Sequence, residues 1–307
     1  MDYILSILQG IVQGLTEFLP VSSSGHLNIF QHFFGITENN LFFNVMLHVG
    51  TLVSVCAFYH KLIWRLIKAV FGMIKDIFTG KFSFRNMDDD RNMVMMLIIG
   101  LLPLFLLFVP IGNDMKIKDL ADLFSGDAKY FIITGISLLL TSGLLTAGII
   151  MNKRREQLIA SGKVQAKERY TVVDALTVGC VQVVAAIFPG LSRSGSTLAA
   201  GQARGISKQN ALDYTFILAI PSILAAAVLE LFDALSAEGG LSVDIGPVIV
   251  GMVTAAIVGY LSIALFKWLL KTDKTYIFVI YTAIAGVAVT IISIIELVTG
   301  KTVAFIG

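Results

Sequence analysis

The sequence predicts an all-α polytopic membrane protein, and three observations support this fold class. Of its 307 residues, 56% are hydrophobic and only 14% are charged, whereas soluble domains typically have about 25% charged residues. Apolar runs at 93–112, 130–151, 247–266 and 275–295 reach the length of about 20 residues that crosses a hydrocarbon core. Two distant polar motifs share one sequence frame, which indicates an internal repeat.

The first motif, Gln13–His26, reads QGLTEFLPVSSSGH, and the second, Gly179–Thr197, contains GCVQ at its start and PGLSRSGST at its end. Counted from Gly10 and Gly179, both fit the frame G-x-x-Q-x6-P, and a slip of one residue then aligns further positions. The aligned pairs are Ser22 with Ser192, Ser24 with Ser194 and Gly25 with Gly195. We expect the two motifs to form the centres of two related structural repeats.

The first half of the chain begins with a broken helix. Residues 3–19 and 27–34 are apolar segments separated by Pro20 and a Ser-Ser-Ser-Gly turn. Two short helices around a polar break indicate a re-entrant hairpin, which is tolerated at membrane depth only where protein or a water-filled cavity surrounds it. Three spans are expected after this hairpin, at about 41–60, 93–112 and 130–151.

Residues 61–92, between the first two of these spans, are strongly basic. They carry seven Lys and Arg residues with apolar residues spaced among them. This pattern predicts an amphipathic helix lying on a membrane surface, followed by a solvated acidic loop.

The second half repeats the plan in the opposite orientation. A broken hairpin at 172–205 is followed by spans at about 211–232, 247–270 and 275–297. The positive-inside rule places the basic segments 61–92 and 152–170 in the cytoplasm and 113–129 outside. Because each half contains one hairpin and three spans, the second half is inverted, as in proteins that bind their substrate between repeats near the membrane midplane.

We therefore divide one integral membrane domain into a first repeat, 1–151, and a second, inverted repeat, 152–307. The predicted fold has two re-entrant helical hairpins and about six transmembrane helices. The basic residues are concentrated in two loops and form no stripe interleaved with aromatic residues, so nucleic-acid binding is not expected. Cys56 and Cys180 lie in apolar stretches and are interpreted as small hydrophobic residues.

An ionisable residue inside the membrane usually faces a cavity or a partner, and Glu17 is such a residue in the first motif. Gln13 and Glu17 are four residues apart and therefore share one helix face. The structural alternative is that Glu17 only holds the hairpin together by hydrogen bonds. The hydroxyls and basic groups of the two motifs favour a functional role.

Ser22, Ser23 and Ser24 precede a half-helix, and one of them is expected to cap it. Capping explains only one serine, and the N–H groups at a helix start also form an anion site. The second motif offers the same arrangement with an added guanidinium, whose planar fork suits phosphate. Its candidate binding residues are Ser192, Arg193, Ser194 and Thr197. The structural alternative for Arg193 is a buried ion pair with Glu17.

His26 follows Ser23 by three residues, about one helical turn, so the two are candidates for a nucleophile and its base, or His26 is itself the nucleophile. The alternative is a histidine that only packs in the helix. His48 begins another span and either supports the site from behind or has a structural role. Together the motifs suit an anionic head group, with phosphate or diphosphate the best match.

The two motifs resemble the signature motifs of the undecaprenyl-diphosphatase family, also known as the bacitracin-resistance protein type, and the resemblance extends over essentially the whole chain. It implies a multi-pass enzyme of the bacterial plasma membrane whose active site opens outward. The implied reaction hydrolyses undecaprenyl diphosphate to undecaprenyl phosphate, which recycles the lipid carrier for peptidoglycan. The resemblance also implies a divalent cation, Mg²⁺ or Ca²⁺, and a homodimer.

Position by position, the resemblance assigns Gln13 and Glu17 to one motif, with Glu17 near the metal or in proton transfer. Ser23 and His26 take the positions of the catalytic Ser and His, and Arg193, with Ser192 and Thr197, binds the diphosphate. The expected mechanism is an attack by Ser23 or His26 on the terminal phosphorus. The alternative function is a lipid-phosphate flippase that uses the same anion site without hydrolysis, since inverted repeats are also a transporter architecture.

Overall fold

The computed structural model describes residues 2–34, 41–84, 87–112, 115–126, 130–165, 167–236 and 244–303. The first half of the chain contains helices α1 (Tyr3–Phe18), α2 (Ser23–Phe33), α3 (Leu41–Phe58), α4 (His60–Phe78), α5 (Asp89–Leu101), α6 (Asp119–Gly126) and α7 (Phe131–Ala160). The second half contains α8 (Val172–Ile187), α9 (Arg193–Ala203), α10 (Lys208–Ser236), α11 (Ile245–Lys271) and α12 (Tyr276–Thr299).

The described residues contain five helical segments that are long and apolar enough to cross a membrane. They are Asp89–Phe108, Phe131–Ala160, Lys208–Leu229, Ile245–Lys271 and Tyr276–Thr299. Helices α3 and α4 make a sixth only if they are counted as one span, and they are bent by 85° where they meet. The prediction of an all-α polytopic membrane protein is therefore confirmed, with five or six candidate spans.

Helix α4 corresponds to the predicted amphipathic segment. It buries Leu66, Ala69 and Met73 and leaves Trp64 and Phe71 exposed. Its Lys and Arg side chains share the exposed part of the helix with these large apolar groups, as in helices that lie on a membrane surface. The break that turns the chain through 85° occurs at Tyr59.

Three local predictions differ from the structure. The expected span at 93–112 is an α-helix only to Leu101. It continues as a 3-10 helix, Leu102–Phe108, with Pro103 near its start, because the proline nitrogen has no proton to donate to a continuing α-helix. The expected loop 113–129 includes strand β2 and α6 in its described part; β1 (Pro110–Gly112) and β2 (Met115–Lys116) form an antiparallel pair. Helix α7 continues to Ala160, because its polar residues after 151 are good helix formers.

Close helix packing depends on small residues. Helix α1 packs against α11, α7 against α12 and α3 against α10 and α11. A Cβ atom on Gly10 of α1 would lie 2.6 Å from the carbonyl oxygen of Gly251 on α11, which is too close for any side chain. Glycine at this position therefore allows the two backbones to touch, as small residues do in membrane helix pairs.

The basic segments meet at one end of the helix bundle, called here the basic end. There Asp174, at the start of α8, pairs with Lys167 and Arg204, the latter at 2.8 Å, and Lys208, at the start of α10, pairs with Asp273. At the opposite end, the start of α1 lies beside the start of α11, and His32 of α2 lies 2.8 Å from Glu296 of α12.

Candidate active site

Two loops of similar construction meet inside the bundle. Helix α1 has 16 residues and α2 has 11, and α8 and α9 have the same two lengths. In each loop a serine caps the second helix: Ser22 Oγ accepts a hydrogen bond from the Gly25 N–H at 3.3 Å, and Ser192 Oγ accepts one from the Gly195 N–H at 3.1 Å. The N-termini of α2 and α9 are thus built in the same way.

The two loops are in direct contact. Ser194 of the second loop donates a hydrogen bond to the carbonyl oxygen of Leu19 in the first, at 3.1 Å. A Cβ atom on Gly25 would lie 2.7 Å from Gly190 Cα, so the small residues allow the loops to approach each other. This contact brings residues that are about 170 positions apart in the sequence into one site.

Glu17 is the centre of the site, and its side chain is only 1% exposed. Its Oε2 atom accepts hydrogen bonds from Ser23 Oγ at 2.6 Å and from Gln13 Nε2 at 3.0 Å. Its Oε1 atom pairs with the guanidinium of Arg193 in the second loop. His48 Nε2 lies 3.9 Å from Oε2. The buried carboxylate is therefore neutralised by Arg193 of the other loop, as a buried charge requires.

A cavity of about 190 Å³ lies between the two loops. It is lined by Thr16, Glu17, Ser22, Ser23, Ser24, His48, Ala185, Ala186, Leu191, Ser192, Arg193 and Ser194. Eight of the eleven residues proposed from the sequence are among these. The exceptions are Gln13, His26 and Thr197.

Gln13 and Thr197 lie behind the residues that line the cavity. Gln13 is fully buried and donates to Glu17, while its Oε1 atom is buried with no hydrogen-bond partner among the described residues. Thr197 is 1% exposed and donates to the carbonyl oxygen of Arg193 at 2.8 Å. Both residues thus hold a neighbour that faces the cavity.

His26 has both ring nitrogens engaged away from the cavity. Nδ1 lies 2.8 Å from the carbonyl oxygen of Ser22, and Nε2 lies 2.7 Å from the hydroxyl of Tyr281, whose ring stacks on the imidazole. Because a carbonyl oxygen only accepts, Nδ1 carries the proton and Nε2 of the neutral ring accepts from Tyr281. The bond from Nδ1 also holds Ser22 in place. The φ of Ser22 is 74°, which is unusual for a residue with a side chain.

Sequence reasoning missed two residues that hold the loops. Thr141 of α7 accepts a hydrogen bond from the Ser192 N–H at 2.9 Å and donates one to the carbonyl oxygen of Gly190 at 3.0 Å. Tyr281 of α12 holds His26. Thr141 is a polar residue in an apolar span, which is a weak signal, and Tyr281 is one of many aromatic residues in such spans and gives no signal.

The arrangement combines three chemical functions in one cavity. The Ser23 hydroxyl is hydrogen-bonded to a carboxylate, which is the geometry of a nucleophile and its general base. The Arg193 guanidinium and the N-termini of α2 and α9 supply positive charge and N–H donors, which suit an anion. The cavity can therefore bind an anionic group next to an activated hydroxyl.

The described residues contain no cluster of three or more His, Cys, Asp and Glu side chains that could hold a metal ion. The metal-binding donors at the cavity are the Glu17 carboxylate and His48, with the unpaired Gln13 Oε1 behind them. Of these donors, the oxygens of Glu17 and Gln13 fit a hard divalent cation such as Mg²⁺, which is often held by one or two carboxylates, water and substrate phosphates, and the His48 nitrogen does not.

Known proteins resemble this chain over nearly its whole length. Residues 6–288 match the model of a family described as bacitracin resistance protein BacA. A protein of Alkaliphilus metalliredigens named undecaprenyl-diphosphatase is 38% identical over 94% of this chain and 98% of its own length. Proteins with the same name from Methanobrevibacter smithii and Bacteroides thetaiotaomicron are 36% and 34% identical, over 97% and 95% of this chain and over 100% and 99% of their own lengths.

Proposed function

This chain belongs to the bacitracin resistance protein BacA family, and we infer that it is an undecaprenyl-diphosphatase of the membrane. It hydrolyses undecaprenyl diphosphate to undecaprenyl phosphate and inorganic phosphate, which returns the lipid carrier to peptidoglycan synthesis and confers bacitracin resistance. In the site, this conclusion rests on the contact of Glu17 with both Ser23 and Arg193 in the cavity between the loops.

Arg193 and the two helix N-termini bind the diphosphate. A phosphoryl group that is being transferred carries negative charge on its three outer oxygens, so fixed positive groups around it stabilise the transition state. Arg193 begins α9, so its guanidinium and the first N–H groups of that helix face the same cavity. Ser22, Ser24, Ser192 and Ser194 add hydroxyls to its wall.

Ser23 is the nucleophile in the mechanism that we propose, and Glu17 is its general base. Ser23 Oγ attacks the terminal phosphorus while its proton passes to Glu17, and the bond to the bridging oxygen breaks to release undecaprenyl phosphate. Glu17 passes this proton to the departing undecaprenyl phosphate and is a carboxylate again. It then takes a proton from water, which hydrolyses the phosphoserine and releases inorganic phosphate with Ser23 restored. The 2.6 Å distance from Ser23 Oγ to Glu17 Oε2 supports this assignment. His26 holds the loop through Ser22 in this mechanism.

A divalent cation, Mg²⁺ or Ca²⁺, is proposed to bind at Glu17 together with oxygens of the substrate diphosphate. When bound, it neutralises phosphate charge. Gln13 Oε1, buried and unpaired among the described residues, is an additional oxygen close to this carboxylate. A homodimer is a further proposal, which follows from the family resemblance alone.

We also propose that the fold is an inverted repeat with two re-entrant hairpins, divided at 151–152. Helix α1 begins at the end opposite the basic end and α8 begins at the basic end. The α2 residue His32 returns to the end where α1 began, and Arg204, after α9, returns to Asp174 at the start of α8. Each pair of helices thus enters and leaves at one side, which supports the proposal.

The protein is proposed to lie in the bacterial plasma membrane with its basic end in the cytoplasm, because cytoplasmic segments carry an excess of Lys and Arg. The cavity is then proposed to open to the outer face. A flippase is not favoured as the alternative, because the relatives are named as diphosphatases.

Phosphate release from undecaprenyl diphosphate by the purified full chain in detergent tests the proposed function. We expect release by the wild type and loss of release in Glu17→Ala and in Arg193→Ala. Arg154→Ala removes an exposed cation far from the cavity and is the control with unchanged activity. Absence of release from the wild type, with and without added Mg²⁺ or Ca²⁺, would contradict hydrolysis and favour transport.

A further inference from the structure

A second polar cavity lies at the basic end of the bundle, away from the loops of the active site. Its volume is about 130 Å³, which is enough space for several water molecules. It lies between the end of α7 and the start of α10 and is lined by Asn152, Arg155, Glu156, Ile159, Lys167, Gly205, Ile206, Ser207 and Lys208. Three of these side chains are cations and one is a carboxylate.

Two donors in the wall of this cavity have no acceptor in the part of the chain that the structure describes. Asn152 is only 5% exposed, and its Nδ2 group is buried without a hydrogen-bond partner among the described residues. Arg155 Nε is buried and unpaired in the same way. Buried N–H groups are normally satisfied, and leaving one unpaired is costly. Two such donors beside one cavity indicate that an acceptor belongs there.

The charges around the cavity also favour an acceptor that is an anion. Lys167 pairs with Asp174, and Lys208 pairs with Glu156 at 2.8 Å. Among the described residues, Arg155 pairs with no carboxylate, and its guanidinium donates only a long bond of 3.4 Å to the carbonyl oxygen of Gln165. One full positive charge is therefore left without a counter-ion.

The backbone beside Arg155 leaves room for its guanidinium. Its guanidinium occupies the space that a side chain on residue 205 would need, and that residue is Gly205 with a φ of 83°. A left-handed φ is unfavourable for most other residues. The loop between α9 and α10 thus has the one residue type that fits both the backbone and the arginine beside it.

We propose that this cavity binds a phosphate group, held by Arg155, Asn152 and the N-terminus of α10. Arginine and helix N-termini are preferred partners of phosphate, and basic pockets between membrane helices at the cytoplasmic surface bind lipid head groups. The group is either inorganic phosphate or the phosphate of a membrane lipid. The cavity and the active site lie at opposite ends of α9, which has 11 residues and is therefore about 16 Å long.

The first arm of the test uses inorganic phosphate. The full chain in neutral detergent is titrated with phosphate while its thermal unfolding midpoint is followed. The background is the double variant Glu17→Gln with Arg193→Gln, which lacks the guanidinium of the active site and leaves no unpaired carboxylate there. We expect phosphate to raise the midpoint, and Arg155→Ala to weaken the apparent affinity about tenfold because a charge-assisted hydrogen bond is lost. Arg154→Ala, an exposed neighbour of equal charge that does not line the cavity, is the matched control.

The second arm uses lipids. The same variants are placed in nanodiscs of phosphatidylcholine, with and without phosphatidic acid, and lipids that stay bound are counted by native mass spectrometry. Retention of phosphatidic acid by Arg154→Ala and its loss in Arg155→Ala identify a lipid phosphate. A phosphate response in the first arm alone identifies the free ion.

Asn152→Leu distinguishes a binding site from an ordinary unpaired donor, and it covers the case in which Arg155→Ala does not fold. In a binding site, this change raises the midpoint without phosphate and reduces the response to phosphate or to phosphatidic acid. The proposal is overturned if neither arm gives a response, or if Arg155→Ala and Asn152→Leu respond as strongly as Arg154→Ala.

Discussion

The two loops of the active site have nearly the same backbone plan and different chemistry. Ser22 and Ser192 cap equivalent helices, and each lies 3.3 Å from the serine two residues later. Ser23 in the first loop corresponds to Arg193 in the second. The carboxylate position Glu17 in α1 corresponds to Ala186 in α8. The segment α1–α2 therefore supplies the proposed nucleophile and its proposed base, the segment α8–α9 supplies the cation, and neither contains a complete site.

The loops also differ in where they place their left-handed residue. The second loop uses Gly190, with a φ of 95°, and its capping Ser192 has an ordinary φ of −64°. The first loop places a φ of 74° on Ser22 itself, and His26 bonds to that residue's carbonyl oxygen. A strained serine needs support from the surrounding structure, whereas a glycine does not. This difference gives His26 a supporting role for which the second loop has no counterpart.

The largest expected effect comes from the nucleophile of the first loop. Ser23→Ala should lower phosphate release by at least about 10³-fold, because the attacking group is lost. Ser24→Ala also removes a hydroxyl from the cavity wall but leaves the contact of Ser23 with Glu17 intact, and should lower release by less than about tenfold. Equal losses in both variants would show that Ser23 only binds substrate.

The ion pair between Glu17 and Arg193 allows the effects on stability and on activity to be measured separately. Arg193→Gln leaves the buried Glu17 without its counter-ion and should destabilise the protein by about 3 kcal/mol. The double variant Glu17→Gln with Arg193→Gln removes both charges and should recover most of this stability, measured as the thermal unfolding midpoint in detergent. Neither variant should release phosphate. A double variant as unstable as Arg193→Gln would mean that the pair acts through packing.

The sequence was sufficient to predict the membrane class, five of the six expected spans and most of the cavity residues. The expected span 41–60 passes as a span only together with α4. Apolar run length reports membrane spans directly, and Glu17, Ser23 and Arg193 are conspicuous because a polar cluster in an apolar chain is costly. The 3-10 helix after Leu101, the short strand pair and the support from Tyr281 were not predictable. They depend on contacts between distant segments, and no local pattern distinguishes Tyr281 from the other aromatic residues of the spans.

His26 is expected to act by supporting the strained loop, with a smaller effect than Ser23. His26→Ala should lower turnover by about 10- to 100-fold, because a loop shifted by about 1 Å misplaces the nucleophile. Tyr281→Phe keeps the ring and removes only the hydroxyl that donates to His26, so it should lower turnover by a few-fold. Adding Ser22→Gly to His26→Ala should recover part of the activity, because glycine tolerates the left-handed φ although the Ser22 hydroxyl that caps α2 is lost.

A nucleophilic His26 predicts other results. The loss of turnover in His26→Ala would then match that in Ser23→Ala, and adding Ser22→Gly would recover none of it. Acid quench with labelled substrate would trap phosphohistidine. Phosphoserine at residue 23 in the same quench supports the role proposed here for His26.

The smallest effect is expected in the support of the second loop. Thr141→Val keeps the shape of the side chain but removes the acceptor of the Ser192 N–H and the donor that the carbonyl oxygens of Gly190 and Ser137 share. Because these are buried groups, stability should fall by about 1–3 kcal/mol, read from the thermal unfolding midpoint. Turnover should fall by less than the loss in His26→Ala, since Gly190 holds its left-handed φ without strain. Thr146→Val, on the same helix, is the control because Thr146 bonds only to its own helix, at Ser142. A turnover loss in Thr141→Val as large as that in His26→Ala would show that both loops depend equally on outside support, and that the difference in their backbones has no functional consequence.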